Sequence, residues 1–261
     1  MLALICGTGH LPRAVAGAQD APPLVCVLEG FAPEGLAADV TFRLERLGSF
    51  LQELKARGVR DLCLCGAITR PEIDPSLIDA ATAPLVPRLM AAMEQGDDGA
   101  LRAVIGILEE EGFVLHGATV LAPDILPEAG CPTVARPKRE TRADFEIAHS
   151  ALAEMAARDE GQACIVRLGQ VEAMEQQDGT DAMLRAYTAR GVSGGVLVKA
   201  PKPGQERRAD LPTIGPETAS RAIEAGLDGV VIAAGSVIVL EPEEVVQRLD
   251  TAGAFLWVVP T

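Results

Sequence analysis

The chain has few aromatic side chains: 3% of its residues, with a single Trp and a single Tyr. That is too few for the stacking platforms on which proteins hold single-stranded nucleic acid. Positive charge is scarce as well. Lys and Arg number 23 against 37 Asp and Glu, a formal net charge of −14, which speaks against general affinity for nucleic acid or an anionic membrane. No apolar run approaches the roughly 20 residues needed to cross a bilayer. The opening residues, Met-Leu-Ala-Leu-Ile-Cys-Gly, have no basic segment and break too early for a secretory signal. Six cysteines are present without a C-x-x-C pair. Cys63-Leu-Cys65 has the wrong spacing for zinc or redox chemistry, and Cys6, Cys26, Cys63 and Cys65 sit in apolar runs, where Cys serves as a small hydrophobe. A chain of this length with no disulfide framework is expected in the reducing cytoplasm.

What is present is core-forming material, 48% hydrophobic over 261 residues, enough for two ordinary domains. Residues 2–6 form an unbroken apolar run, as in a strand buried on both faces of a parallel sheet. Gly7-Thr8-Gly9-His10 follows at once, then Leu11-Pro12 at the start of an Ala-rich helix. Strand, glycine turn and helix start together present backbone N–H groups to an anion. Gly7, Thr8, Gly9 and His10 are therefore candidates for a phosphate or sugar contact. The third glycine of the dinucleotide fingerprint is missing, with Arg13 or Ala14 where it would fall, and a plain βα turn is the other reading. Residues 24–28 and 61–66 read as further strands, and 50–57 as a helix stopped by Gly58. Thr69 and Arg70 lie just past the third strand, at the edge where open α/β sheets hold ligands. A capped turn with a solvated Arg is the alternative there. Residues 75–93 read as a helix that Pro84 and Pro87 must interrupt. Gly96-Asp97-Asp98-Gly99 opens another helix; Asp97 and Asp98 are site candidates, with an N-cap the plainer role for Asp97. Residues 113–121 are expected as a strand broken at Gly117, with His116 a satisfied core residue.

The Pro-rich stretch 124–142, with its basic group from Arg136 to Arg142, is expected as a linker. It would join a Rossmann-like N-terminal domain with a parallel sheet (1–123) to a mixed α/β C-terminal domain (143–261), an α/β protein overall. In the second half, 163–167 and 169–175 read as a hairpin, followed by a helix at 182–190 capped by Thr180 or Asp181. Glu172, Glu175, Asp178 and Asp181 place four carboxylates within ten residues, a set suited to divalent-metal or general-base work. A strand at 195–199 then feeds the most heavily charged loop, Lys199-Ala-Pro-Lys-Pro-Gly-Gln-Glu-Arg-Arg-Ala-Asp-Leu-Pro-Thr213. Four cations within ten residues of an acidic chain mark a place for an anion. Thr213 is expected to cap the next helix. Asp210 reads either as a reactive acid or as a second cap beside a solvated charge run.

Several of these segments together, in order and along nearly the whole chain, resemble the LpxI-type UDP-2,3-diacylglucosamine pyrophosphatases of lipid A biosynthesis. They are Gly7-Thr-Gly-His-Leu-Pro12, Gly66-Ala-Ile-Thr-Arg-Pro71, Gln95-Gly-Asp-Asp-Gly-Ala-Leu101, Glu175-Gln-Gln-Asp-Gly-Thr-Asp-Ala-Met-Leu-Arg185 and the stretch from Lys199 to Gly215. The resemblance implies two domains with the substrate in a cleft between them. It implies Mg²⁺-dependent hydrolysis of UDP-2,3-diacylglucosamine to UMP and 2,3-diacylglucosamine 1-phosphate, with Asp210 as the catalytic aspartate. The substrate-binding set it suggests is Gly7, Thr8, Gly9, His10, Thr69, Arg70, Asp98, Glu175, Gly179, Thr180, Asp181, Lys199, Lys202, Gln205, Arg208 and Thr213, with the metal ligands unassigned. Lys199, Lys202 and Arg208 would neutralise the pyrophosphate oxygens alongside Mg²⁺, and Asp210 would orient the water, act as base or bind the metal. The implied partners are a lipid-linked sugar nucleotide and, transiently, the inner-membrane surface; nucleic acid is not among them, and homo-oligomerisation stays open. Two rival readings stand beside the hydrolase. One is a nucleotide-dependent oxidoreductase, suggested by the glycine turn; the other is a non-catalytic sugar-nucleotide or lipid-binding protein.

Overall fold

The computed structural model describes residues 1–69, 73–94, 96–158 and 160–260, without the side chains of residues 93, 97 and 157. They fall into two compact units. The first is Met1–Pro123 together with Glu206–Asp210; the second is Asp124–Gln205 together with Leu211–Thr261.

The first unit runs β1 (Leu2–Cys6), α1 (Leu11–Gly17), β2 (Leu24–Leu28), β3 (Val40–Phe42), α2 (Leu47–Ala56), β4 (Asp61–Cys65), α3 (Val86–Met93), α4 (Gly96–Glu110), β5 (Val114–Leu115) and α5 (Ala118–Leu121). The strands make one parallel sheet in the order β3-β2-β1-β4-β5. Apolar runs such as Leu2–Cys6 fit its centre because both faces are covered. Ala3, Ile5, Cys26 and Leu28 share a core with Leu47, Phe50, Leu51 and Leu54 of α2 and Ile105, Ile107 and Leu108 of α4. Phe42 and Phe50 stack with ring centroids 4.0 Å apart. The strand order reverses between β1 and β4. That makes the ends of these two strands the topological switch point, where sheets of this kind hold ligands.

Two sequence expectations change here. Residues 75–93 are not one helix: short 3-10 turns at Pro75–Leu77 and Ala83–Leu85 precede α3, as the prolines require. Residues 118–121 are helical rather than strand. The Gly117 carbonyl accepts from both Val120 N and Leu121 N, and Val120 stays 71% exposed, so no neighbouring strand rewards its β-branched side chain.

The second unit runs α6 (Arg139–Ala157), β6 (Ala163–Arg167), β7 (Gln170–Met174), α7 (Thr180–Ala189), β8 (Val196–Lys199), β9 (Thr213–Ile214), α8 (Pro216–Glu224), β10 (Gly229–Ala233), β11 (Ile238–Val239), α9 (Pro242–Ala252) and β12 (Phe255–Val259). Its sheet has the order β12-β10-β8-β6-β7. The β12, β10 and β8 pairings are parallel, while β6 and β7 join antiparallel. The sheet is thus mixed, as expected. Strand alternation divides its side chains between two cores. Ile165, Leu197, Val230 and Ile232 meet residues of α7, α8 and α9, including Leu184, Tyr187, Ala222 and Leu249. Cys164, Val166, Val198 and Val231 meet Ala148, Leu152 and Met155 of α6. Residues ahead of α6 are stitched to β12. Gly130 and Val258 exchange backbone hydrogen bonds of 2.9 and 2.7 Å, and Leu256 N donates to Thr133 Oγ1 at 3.0 Å. Among the described residues no helix is long and apolar enough to cross a membrane.

Candidate functional site

The strand order sets the turns after β1 and β4 side by side, and glycine lets them touch. Gly7 N donates to Cys65 O at 2.8 Å, Thr8 N to Ala67 O at 2.8 Å and Ala67 N to Thr8 O at 3.0 Å. The Thr8 hydroxyl adds a bond of 3.1 Å to Ala67 O. A Cβ on Gly7 would stand 2.3 Å from the Ala67 carbonyl oxygen, and one on Gly66 (φ +92°) 2.7 Å from the Gly7 carbonyl carbon. The amides of Gly7 and Thr8 are thus spent on the β4 turn. What this seam offers is close backbone approach rather than those two donors. Gly9 has φ +92° with open space around it. His10 Nε2 pairs with Glu34 Oε2 at 2.7 Å. Thr69 is exposed at the end of the facing turn. Arg70 and the Asp97 side chain lie outside the described residues.

The segment Glu206–Asp210, which groups with the first unit, is a turn held by its own backbone. Ala209 N and Asp210 N both donate to Glu206 O, at 3.1 and 2.8 Å, and Ala209 packs against the first unit's core. The Arg208 guanidinium grips Glu206 with two parallel bonds, Nε to Oε1 at 2.9 Å and Nη2 to Oε2 at 3.0 Å. Its Nη1 reaches Glu109 Oε1 on α4 at 2.6 Å. Forks of this kind are among the stronger charge-assisted contacts. The pairing holds the Glu206 carboxyl below its ordinary pKa and pushes Arg208 above its own. Asp98 joins at one remove: it binds Arg102 Nε at 2.8 Å, and the Arg102 charge acts on Glu206. The arginines after Gln205 are therefore not simply a solvated charge run. Arg208 fastens the turn that carries the half-buried Asp210.

In the second unit, a buried network forms where β8 ends. Lys199 is 7% exposed. Its Nζ donates to Thr180 Oγ1 at 3.0 Å and to the Thr213 carbonyl at 3.1 Å. The Thr180 hydroxyl donates onward to Glu175 Oε1 at 2.7 Å, and Glu175 Oε2 accepts Gln162 N at 2.6 Å. Burial lowers the Lys199 pKa, against the opposing pull of the Glu175 and Asp181 charges. Gly161 makes room for this carboxylate, since a Cβ there would lie 2.5 Å from Glu175 Cβ. Gln162 also takes Ala200 N on its carbonyl at 3.1 Å and Gln205 Nε2 on its Oε1 at 3.3 Å. Gln205 Oε1 in turn accepts Lys202 N at 3.1 Å. Glu175, Thr180, Lys199 and Thr213 are thus brought together directly, and Lys202 and Gln205 through Gln162. Sequence reasoning missed Gln162; its sole signal was a polar residue after a glycine at a strand start.

Three expectations are corrected in this unit. Neither Thr180 nor Asp181 caps α7. The N-cap position is Gly179 at φ +85°, which leaves the Thr180 hydroxyl free to turn towards Glu175, while Asp181 lies 3.2 Å from Arg221 Nε. Thr213 caps no helix: it pairs with Ile238 in β9, and Gly215 precedes α8 because Pro216 takes the first helical position. The four neighbouring carboxylates do not converge. Glu172 is the extra residue of a bulge in β7 and pairs with Arg190 at 2.6 Å and Arg167 at 3.5 Å, while Asp178 is exposed. Among the described residues no three His, Cys, Asp or Glu side chains group to hold a metal ion.

Fold and residues together define a two-unit α/β protein with a switch-point glycine seam in one unit and a clamped, charged loop leaving the other. The chain belongs to the LpxI family: residues 1–125 match the LpxI N-terminal domain and residues 128–257 the LpxI C-terminal domain. One relative, the UDP-2,3-diacylglucosamine pyrophosphatase LpxI of Caulobacter vibrioides, is 38% identical over 271 residues, which cover 98% of this chain and 96% of the relative.

Proposed function

We propose that the chain hydrolyses the pyrophosphate bond of UDP-2,3-diacylglucosamine, giving UMP and 2,3-diacylglucosamine 1-phosphate for lipid A synthesis. The observation that carries this reading is the 38% identity to the Caulobacter vibrioides enzyme along 98% of the chain. Water adds its oxygen to one phosphorus, the P–O–P bond breaks, the bridging oxygen leaves with the other phosphate, and the water's proton is released. Asp210 is the residue assigned to catalysis, orienting or deprotonating that water. The turn from Glu206, fastened by Arg208, would hold its carboxylate in place, which is what general-base chemistry requires.

Magnesium fits this chemistry without a protein cage, because the ion takes one or two carboxylates and completes its shell with waters and phosphate oxygens. Asp210 would be such a carboxylate, and the bound ion would supply charge neutralisation at the pyrophosphate. The lipid-linked substrate places the reaction at the cytoplasmic face of the inner membrane, where the protein would dock transiently.

The test is UMP release from UDP-2,3-diacylglucosamine with and without Mg²⁺. The wild type is expected to release UMP only with the metal. Asp210→Ala should lower kcat by about 10²–10⁴-fold with an unchanged melting temperature. Retained turnover in Asp210→Ala would remove the catalytic assignment. Substrate binding without any UMP would make the protein a sugar-nucleotide or lipid carrier.

A further inference from the structure

We propose that the half-buried Gln162 and the buried Glu175, Thr180 and Lys199 form a clamp on both ends of the segment between β8 and β9, and that through it Glu175 and Gln162 act as positioning residues for Asp210. The role towards Asp210 rests on the catalytic assignment above; the clamp itself does not. The chain leaves β8 at Lys199 and re-enters β9 at Thr213. At the leaving end Gln162 takes Ala200 N on its carbonyl and the Gln205 amide on its side chain. At the returning end Lys199 Nζ holds the Thr213 carbonyl. Glu175 joins the two, with one oxygen on Gln162 N and the other on the Thr180 hydroxyl that receives Lys199.

A buried ammonium is costly unless it is hydrogen-bonded and balanced by opposite charge. Lys199 has both forms of support. Thr180 Oγ1 and the Thr213 carbonyl accept hydrogen bonds from it. The negative charges acting on it are Glu175, just past β7, and Asp181 on α7, the latter beside Arg221 of α8. Two of its three N–H donors go to protein acceptors, which ties its charge to the loop's anchorage. The Glu175 charge raises the Lys199 pKa against the larger, lowering effect of burial. A glutamine at position 175 would remove that charge and turn an NH₂ group towards one of two existing donors.

The experiment compares wild type, Glu175→Gln, Thr180→Val and Lys199→Met by Mg²⁺-supplemented kinetics across pH and by hydrogen–deuterium exchange of residues 196–214. Each variant is expected to lose kcat by about 10- to 100-fold, the scale of a misplaced catalytic group, with KM within about twofold. Exchange at residues 200–205 should quicken in all three. The high-pH edge of kcat should move to lower pH in Glu175→Gln and vanish in Lys199→Met. Unchanged kcat, pH profile and exchange would overturn the proposal. A raised KM at wild-type kcat would overturn it too, by making these residues substrate ligands. If the wild type releases no UMP, the hydrolase reading fails by itself, and the exchange data still decide whether the clamp exists. Thr180→Val preserves shape and remains informative should Glu175→Gln fold poorly.

Discussion

Replacing Gly7 with Ala would put a methyl carbon 2.3 Å from the Ala67 carbonyl oxygen, 2.6 Å from its carbon and 2.8 Å from Ile68 Cγ1. Ordinary carbon contacts lie at about 3.5–4.0 Å, so the facing turn must retreat by roughly an ångström. It is not free to do so, because the same carbonyl accepts Thr8 N at 2.8 Å and the Thr8 hydroxyl at 3.1 Å. Overpacking of this kind costs about 1–3 kcal/mol, and each hydrogen bond lost adds about 1 kcal/mol. A total near 3–4 kcal/mol, at about 3 °C per kcal/mol for a unit of this size, predicts a fall of about 10 °C in the first unit's melting temperature. Two neighbours calibrate the measurement. Gly9→Ala meets no atom within 4 Å but must hold φ +92°, at a cost of about 1 kcal/mol. Gly17→Ala, in open space at the end of α1, should stabilise by about 0.5 kcal/mol. Thermal unfolding of the three variants by calorimetry gives the ranking. A Gly7→Ala protein that melts no lower than Gly9→Ala would refute the tight seam between the β1 and β4 turns.

Two further outcomes follow from titratable groups. Glu45 is buried. The Arg43 guanidinium, with Asp74 N donating at 2.9 Å, holds its carboxyl down from 4.5 to about 2. A depressed carboxylate gives stability that is fully present above about pH 4.5 and lost as pH falls through about 2. The urea midpoints of wild type and Glu45→Gln should therefore converge between pH 5 and pH 2; a constant gap would contradict the pairing. Burial pushes the Cys26 and Cys164 thiols up to about 12, while Cys131 is only half-buried. Iodoacetamide at pH 8 should accordingly modify Cys131 first in the folded protein, and mass spectrometry of early time points showing Cys26 or Cys164 ahead of it would refute this.

Local signals made much of the fold legible. The apolar runs of β1 and β2 and the apolar stretches within β4 and β8 leave little choice but buried strands, and Gly58 follows the end of α2 where expected. Weak signals failed. The three residues of β3, Val40–Phe42, are too few for a period to show. Thr119 and Val120 look like strand, yet their fate was decided by what lay beside them. The site divides in the same way. Lys199 and Glu175 drew attention by their charge and Thr180 as a cap candidate, but their proximity was not legible: nearby carboxylates suggested a metal, whereas a bulge at Glu172 and the turn at Gly179 sent them to separate partners. Gln162 acts through its backbone N–H and C=O as much as its side chain, and main-chain groups leave no trace in residue identity.

The first unit is built from two pieces of chain, with the whole of Asp124–Gln205 between them. During synthesis from the N-terminus, its sheet can assemble early, as domains generally do. The packing of Ala209 and the grip of Arg208 on Glu109 must wait until Asp124–Gln205, the larger part of the second unit, has been made. A fragment ending at Pro123 should therefore hold its sheet but leave uncovered the patch around Glu109 and around Gly117, where a Cβ would stand 3.3 Å from Arg208 Cα. In the intact chain Asp210 arrives in the last stretch to join that unit, so a product truncated before it would carry a formed first sheet without that carboxylate.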